Sequence, residues 1–469
     1  MSIRNLCCFA ALALSFFALL NRSSFSQTPR PSADMSDADI RAILNERLDP
    51  KVDIGIVAGL IHAGRTRVVW AGKAGPGGTQ ALDGDTVFEI GSATKVFTAA
   101  LLADMLGRGE VRLDDPAAKY LPAAVRVPSR NNKQITLLDL ATHTSGLPRL
   151  PSNLNPKDPA NPYADYTVEQ MYAFLSGYDL PRDIGEQFEY SNLGVGLLGH
   201  ILSLKAGMSY ETLVTRRILE PLQMKDTVIM LRPELRSRLA QAHNSSGSAV
   251  ANWDLPTLAG AGALRSTMND MLKFLAANLS ATGPLAAPLH LTHESRRSTG
   301  TPDGSIGLAW LWRRGFGAEI AWHNGGTGGY HSFLGFDPKT GDGVVILHNS
   351  AAGIDDIGFH LINSQFPITK PPAPSKARKE MAINPSLLDA YVGEYQLAPT
   401  VTMTVTREGE QLFIQVTGQS RLPVYAESET DFFYKIVDAQ VTFVRDTGGQ
   451  VTGLIVHQGG RDTPGKKTR

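Results

Sequence analysis

Cysteine is nearly missing from this chain of 469 residues. There are two, Cys7 and Cys8, and both lie among the first ten positions. They fall inside a stretch that reads as a secretory signal. Arg4 supplies the positive charge, and the apolar run Leu6 to Leu20 is short for a membrane span. Small residues at Ser24 and Ser26 offer a cleavage point, and the two cysteines sit too early in the segment for a lipoprotein site. The expectation is a signal peptide over residues 1–26, with an uncleaved anchor as the alternative. The processed chain would then be periplasmic or secreted, with no integral membrane span. It would have no disulfide framework, no thiol nucleophile and no cysteine-ligated metal. An excess of either charge is also missing, since Lys+Arg and Asp+Glu are both 45. That argues against a nucleic-acid partner, which needs a basic stripe. G-x-S-x-G is absent, so the nucleophile elbow of an α/β-hydrolase is not expected. H-E-x-x-H and similar metal spacings are absent too, and no metal site is expected. No repeat of solenoid type is present.

What remains is 42% hydrophobic, enough for a sizeable core in one large domain or two. "VDIGIVAGLIHAGRTRVVWAGKAG" reads as two strands joined by a turn at His62–Arg65. From Ser92 to about Leu291 the pattern is mainly helical. "TVEQMYAFLSGY" carries a Thr cap before Glu169, and "STMNDMLKFLAANL" a Ser or Thr cap before Asp270. "AEIAWHNGGTGGYHSFLGFDP" and "GDGVVILHNS" return to strand character. Strand, helices, strand predicts an α+β domain in which early and late strands share one sheet. Four prolines in "FPITKPPAPSKARKE" mark a linker. Beyond it, alternation around Glu408–Glu410 and Gly448–Gly449 predicts a small antiparallel β-domain. The expected boundaries are 34–366, a linker over 367–384, and 385–460.

Three short elements carry candidate chemistry. In "EIGSATKVFTAALLADML", Ser92 and Lys95 are three apart at the head of an apolar helix, hence on one face. Burial and the helix dipole both disfavour an ammonium there, so the lysine can be a neutral amine that takes the serine proton. The Ser92 N–H can face an oxyanion. The plainer alternative is a Ser cap with a snorkelling lysine. In "EQFEYSNLGVGLLGHIL", Tyr190 can relay a proton and Asn192 can hold a substrate carbonyl, or the segment is a cap beside a packed aromatic. In "AWHNGGTGGYHSF", His323, Gly325 and Gly326 lie on a strand where a ligand backbone could approach, with the Gly326 N–H as a second oxyanion donor. A Gly-rich hairpin turn is the alternative.

The order S-x-x-K, Y-S-N, H-N-G is similar to the motif set of the penicillin-recognising enzymes. The chain resembles the class C β-lactamase family, which includes DD-carboxypeptidases, D-aminopeptidases and serine esterases. "ITLLDLATHTSGLP", "LDDPAAKYLP" and "PLQMKDTV" resemble it as well, over roughly residues 40–366. The resemblance implies a serine β-lactamase/DD-peptidase-like α+β domain, an antiparallel sheet flanked by helices with a helical subdomain, followed by a β-barrel-like domain. It implies Ser92 as nucleophile, Lys95 as general base, Tyr190 as proton shuttle, and Asn192, His323, Gly325 and Gly326 as substrate-binding residues. No cofactor is implied. Two departures stand out. His323 occupies the place of the usual lysine, and only a protonated imidazole could replace that charge for a substrate carboxylate. Leu150 lies near the place of a substrate-binding glutamine.

The expected activity is that of an exported serine hydrolase. It would act through an acyl-enzyme on amide bonds of β-lactams or D-Ala-D-Ala-type peptides. An esterase or D-aminopeptidase of the same fold is the alternative, and a penicillin-binding sensor that does not turn over is a further one. Peptidoglycan is a candidate partner. Asp114–Asp115 read as a turn before Pro116, and His143 as a locally bonded structural residue.

Overall fold

The computed structural model describes residues 35–75, 82–301, 303–369, 378, 380–398, 401–417, 421–434, 439–458 and 461–469. The expected signal peptide lies outside the described residues. So does much of the expected linker.

The first hairpin pairs Gly55–His62 with Arg65–Gly72. Its two turn residues, Ala63 and Gly64, have φ of 48° and 73°. Left-handed turns of this kind match the twist of antiparallel strands. Gly55–His62 also pairs with Asp342–His348, placing Ile56 opposite His348. Early and late strands therefore share one antiparallel sheet, as the sequence predicts. It continues from Asp342–His348 through His331–Asp337, Ala318–Gly326, Leu311–Gly315 and Gly304–Ile306 to Arg297–Ser298.

Successive side chains point to opposite faces of a strand. Both faces of this sheet are covered, which is why Gly55–His62 is apolar almost throughout. Val57 and Ile61 join the core formed with the helical region. Ile56, Ala58 and Leu60 join a second core under the helices Asp37–Asn45 and Asp355–Ile362. The helix Thr94–Gly107 is buried almost all round, as its unbroken apolar sequence requires. It packs against Asn192–Ala206, Ala259–Gly262 and Ala286–His293.

The C-terminal region is a closed barrel of eight antiparallel strands, running from Gly393–Ala398 to Arg461–Lys467. Tyr395 pairs with Lys467 to close it. Its interior is a separate core that includes Tyr391, Tyr395, Ile414, Phe432 and Phe443. The closing strand lies beyond the expected boundary at 460. Pro464 and Gly465 hide its strand character, because proline is depleted from strand interiors.

Candidate active site

Ser92 sits in a single 3-10 turn, Gly91–Ala93, directly before the helix Thr94–Gly107. The helix thus begins two residues later than the sequence suggests, yet the spacing still brings the two side chains together. Lys95 Nζ lies 2.9 Å from Ser92 Oγ, 2.9 Å from Asn192 Oδ1 and 2.6 Å from the carbonyl oxygen of Ala261. Lys95 is fully buried, and its pKa is held well below the ordinary lysine value, chiefly by burial and further by the Arg149 guanidinium. A neutral amine has two N–H donors and one lone pair. Asn192 Oδ1 and the Ala261 carbonyl can only accept. The lone pair is therefore left for the Ser92 hydroxyl, which is the geometry a general base needs.

Tyr190 forms the other side of this pocket. Loss of hydration pushes its phenol up to about 12, partly offset by a hydrogen bond with Ser92, so it is a neutral hydroxyl at physiological pH. The face of the Tyr190 ring is covered by His143, with centroids 4.5 Å apart and planes at 29°. Lys95 Nζ lies 4.9 Å and Arg149 Cζ 5.1 Å from the ring centroid.

Ser191 is the N-cap of the helix Asn192–Ala206. Its hydroxyl accepts from the Gly194 N–H and donates to the Pro148 carbonyl, and its own N–H donates to His143 Nδ1 at 3.0 Å. The Asn192 N–H donates to the Arg149 carbonyl. The segment from His143 to Arg149 is thereby stitched to the helix start, and this fixes Tyr190 and Asn192. His143 is buried, and burial holds its pKa well below the ordinary value. Its Nδ1 accepts, so the proton is on Nε2, which has no partner among the described residues. The sequence reading of His143 as structural thus extends to a specific task, backing the Tyr190 ring.

The strand Ala318–Gly326 supplies the third element. A Cβ added to Gly325 would lie 1.9 Å from the Ile90 carbonyl oxygen and 2.9 Å from the Ala93 nitrogen. Only glycine lets the strand rest against the turn that holds Ser92. A Cβ added to Gly91, at φ 49°, would lie 2.8 Å from both the nitrogen and the carbonyl oxygen of Gly326, and Ser92 and Gly326 both line the cleft. His323 is different from expectation. It is fully buried, and its Nδ1 donates to the Asn324 carbonyl at 2.6 Å. Burial, reinforced by Lys95, lowers its pKa to about 3. The protonated imidazole that could stand in for a lysine at this place is therefore not present at neutral pH.

The cleft has a volume of about 1050 Å³ and is lined by Ser92, Tyr190, Asn192 and Gly326. Trp253, Trp312 and Trp322 contribute to its walls, and Leu422 of the barrel reaches it as well. Among the described residues no group of three or more His, Cys, Asp or Glu is placed to hold a metal. The turn at Asp114–Asp115 and the carboxylate of Asp356 are held by neighbouring side chains. Asp115 takes bonds from the Arg112 N–H, Lys119 and Tyr120, while Asp356 pairs with Arg47. Sequence reading missed Arg149 and the Ala261 carbonyl. The first is the residue directly after the quoted "ATHTSGLP". The second is a backbone atom and has no side-chain signature.

A family model described as Beta-lactamase matches residues 44–363, and one described as a domain of unknown function (DUF3471) matches residues 377–467. Similar relatives include the D-alanyl-D-alanine-carboxypeptidase/endopeptidase AmpH of Escherichia coli (strain K12). It is 31% identical over 310 residues, covering 61% of this chain and 79% of that protein. A beta-lactamase of Pseudomonas fluorescens is 28% identical over 352 residues, covering 66% of this chain and 94% of its own length. Among solved structures, a class C beta-lactamase from Rhodobacter sphaeroides aligns with a TM-score of 0.58 at 26% identity, covering 68% of this chain and 94% of its own. A beta-lactamase/D-alanine carboxypeptidase from Yersinia pestis, complexed with citrate, aligns with a TM-score of 0.57 at 26% identity, covering 67% and 94%.

Proposed function

This chain belongs to the beta-lactamase family, and we propose that it is an exported serine hydrolase that forms an acyl-enzyme at Ser92 on amide bonds of D-Ala-D-Ala-type peptides or β-lactams. The observation that carries this reading is the fully buried Lys95, with Nζ 2.9 Å from Ser92 Oγ and its pKa well below the ordinary value. The relatives named as carboxypeptidase and beta-lactamase support the substrate class. Export rests on the N-terminal sequence alone.

In the proposed sequence of steps, the Ser92 hydroxyl gives its proton to Lys95 Nζ as Oγ attacks the carbonyl carbon. The carbonyl oxygen becomes an oxyanion held by the N–H groups of Ser92 and Gly326. When the intermediate collapses, the C–N bond breaks. The amine takes the proton from Lys95 through the Tyr190 hydroxyl, which bonds to Ser92. Asn192 keeps Lys95 in place through Oδ1 and stands beside the substrate amide. Water, activated by the same groups, then releases the acyl chain. His323 lies buried behind Tyr190 as a neutral member of the site, with ring centroids 6.1 Å apart.

The test is Ser92→Ala in the purified chain, assayed in parallel on a D-Ala-D-Ala peptide, a chromogenic cephalosporin and a p-nitrophenyl ester. Turnover of all three should fall by roughly three or more orders of magnitude, as for other serine–base units. Near-normal activity of the variant would exclude Ser92 as the nucleophile. Labelling by a fluorescent penicillin without release of product would favour the sensor over the enzyme.

A further inference from the structure

With His323 buried and neutral, the site needs another source of positive charge if its substrates carry a carboxylate. Three arginines and one carboxylate, Asp303, are among the residues lining the cleft. Two of the arginines are engaged. Arg314 pairs with Glu319 at 3.1 Å. Arg313 lies over the rings of Phe359 and Phe366, with Cζ 4.2 and 4.8 Å from their centroids, and the Asp355 carboxylate already acts on its charge. His331, also in the lining, is paired with Asp355 at 2.9 Å.

Arg149 differs from all of these. Its side chain is exposed to the cleft, and no ion pair joins it to Asp303 or to any other carboxylate among the described residues. Its backbone is fixed, because the Arg149 carbonyl accepts from the N–H groups of Asn192 and Leu193. Its guanidinium lies 5.1 Å from the centre of the Tyr190 ring, and it lines the same cleft as Ser92. Stacking over an aromatic face orients a guanidinium while leaving its N–H edge free, and that edge matches a carboxylate in a two-point pair.

Building on the serine-hydrolase reading above, we propose that Arg149 is the specificity-determining cation of this cleft: it pairs with a carboxylate of the substrate and so selects anionic acyl donors over neutral ones. The carboxylate is the chemistry shared by a peptide C-terminus and the acid group of a bicyclic β-lactam. The same positive charge bears on Lys95, where it favours the neutral amine. Arg149 therefore affects the rate on every substrate, and only the preference between substrates isolates its pairing role.

The experiment compares two substrates identical except that one carries a free carboxylate and the other its primary amide. Both are assayed on the full chain as wild type, Arg149→Ala, Arg149→Gln and Arg149→Lys. A charge-assisted pair contributes about 1.5–3 kcal/mol, so the ratio of kcat/KM for acid over amide should fall at least about tenfold in Arg149→Ala and Arg149→Gln. Arg149→Lys should recover part of the ratio, since the charge returns without the planar fork. An unchanged ratio in both neutral variants overturns the proposal, whatever happens to the absolute rates. A second measurement needs no turnover. The Kd of the acid substrate is compared between Ser92→Ala and Ser92→Ala/Arg149→Ala by calorimetry. Weakening of about tenfold supports the pairing, and equal affinities overturn it. If Ser92→Ala still turns over, it is the assignment of the nucleophile that fails, while the acid-to-amide ratio continues to report on Arg149.

Discussion

Lys95 is the residue on which the chemistry turns, and its environment sets a pH dependence that can be derived. The reactive form is the neutral amine. Burial and the Arg149 charge lower its pKa, so that form persists at pH values well below those at which an exposed lysine would be protonated. Activity is therefore present above the folded-state pKa and lost as pH falls through it. The groups nearest to it cannot confuse this limb around neutrality. His323 has a pKa of about 3, that of His143 is well below the ordinary value, and Tyr190 is at about 12. The profiles of kcat/KM for an acid substrate and its amide should therefore share one acid limb, with a constant ratio from about pH 5 to 9. An additional fall for the acid substrate alone, as pH rises through about 6 to 7, would mean that a protonated histidine of the site, His323 or the cleft-lining His331, binds the carboxylate. Arginine does not titrate in this range and produces no such fall. Replacing Arg149 by alanine should move the shared acid limb to higher pH, because a charge that opposes protonation of Lys95 has gone.

At the level of elements, the site is a junction of three segment ends: the turn at Ser92, the start of the helix Asn192–Ala206, and the end of the strand Ala318–Gly326. Two neighbouring glycines on that strand make opposite predictions. A Cβ at Gly325 would collide with the backbone of Ile90 and Ala93, whereas one at Gly326 meets nothing within 4 Å. Gly325→Ala must push the strand off the turn and should cost at least about 1–3 kcal/mol of stability, the usual penalty of overpacking. Gly326→Ala should unfold within about 0.5 kcal/mol of wild type, as an unstrained change does. Urea unfolding of the two variants separates them, and equal stabilities would show that the strand has slack at this junction.

The same junction explains what the sequence could convey. The hairpin at Ala63–Gly64, the Thr167 and Thr267 caps and the shared sheet follow from local chemistry, and they stand where the residues put them. Lys95 was legible because a charged side chain interrupts an apolar pattern, and Ser92 and Tyr190 because S-x-x-K, Y-S-N and H-N-G occur in that order. The neutrality of His323 was not, since it depends on burial by distant segments. Nor was the role of Ala261, whose carbonyl is indistinguishable from any other in sequence. The closing strand Arg461–Lys467 escaped because Pro464 and Gly465 read as a turn; Pro464 pairs with Ile455 on one side, while on the other the described pairs with Gly393–Ala398 reach only Lys466 and Lys467.

For the molecule as a whole, the question is what the barrel does for the cleft. Its core is separate from those of the larger domain, and every residue in the proposed chemistry precedes it. The chain leaving the larger domain is tied down as far as Thr369, whose N–H and hydroxyl both donate to Asp356, itself paired with Arg47. A chain ending after Thr369 keeps these bonds and should fold and be acylated by a fluorescent penicillin. Leu422, however, brings the barrel to the wall of the cleft. Losing one partly buried apolar contact of this size removes on the order of 1 kcal/mol from binding. The shortened chain should therefore show a KM raised several-fold for substrates long enough to reach Leu422, with little change in kcat and little effect on the smallest esters. Leu422→Ala in the full chain should reproduce part of the KM change. A folded, shortened chain that no longer labels would instead place the barrel within the catalytic unit. One that labels with unchanged KM for every substrate length would remove Leu422 from the substrate path.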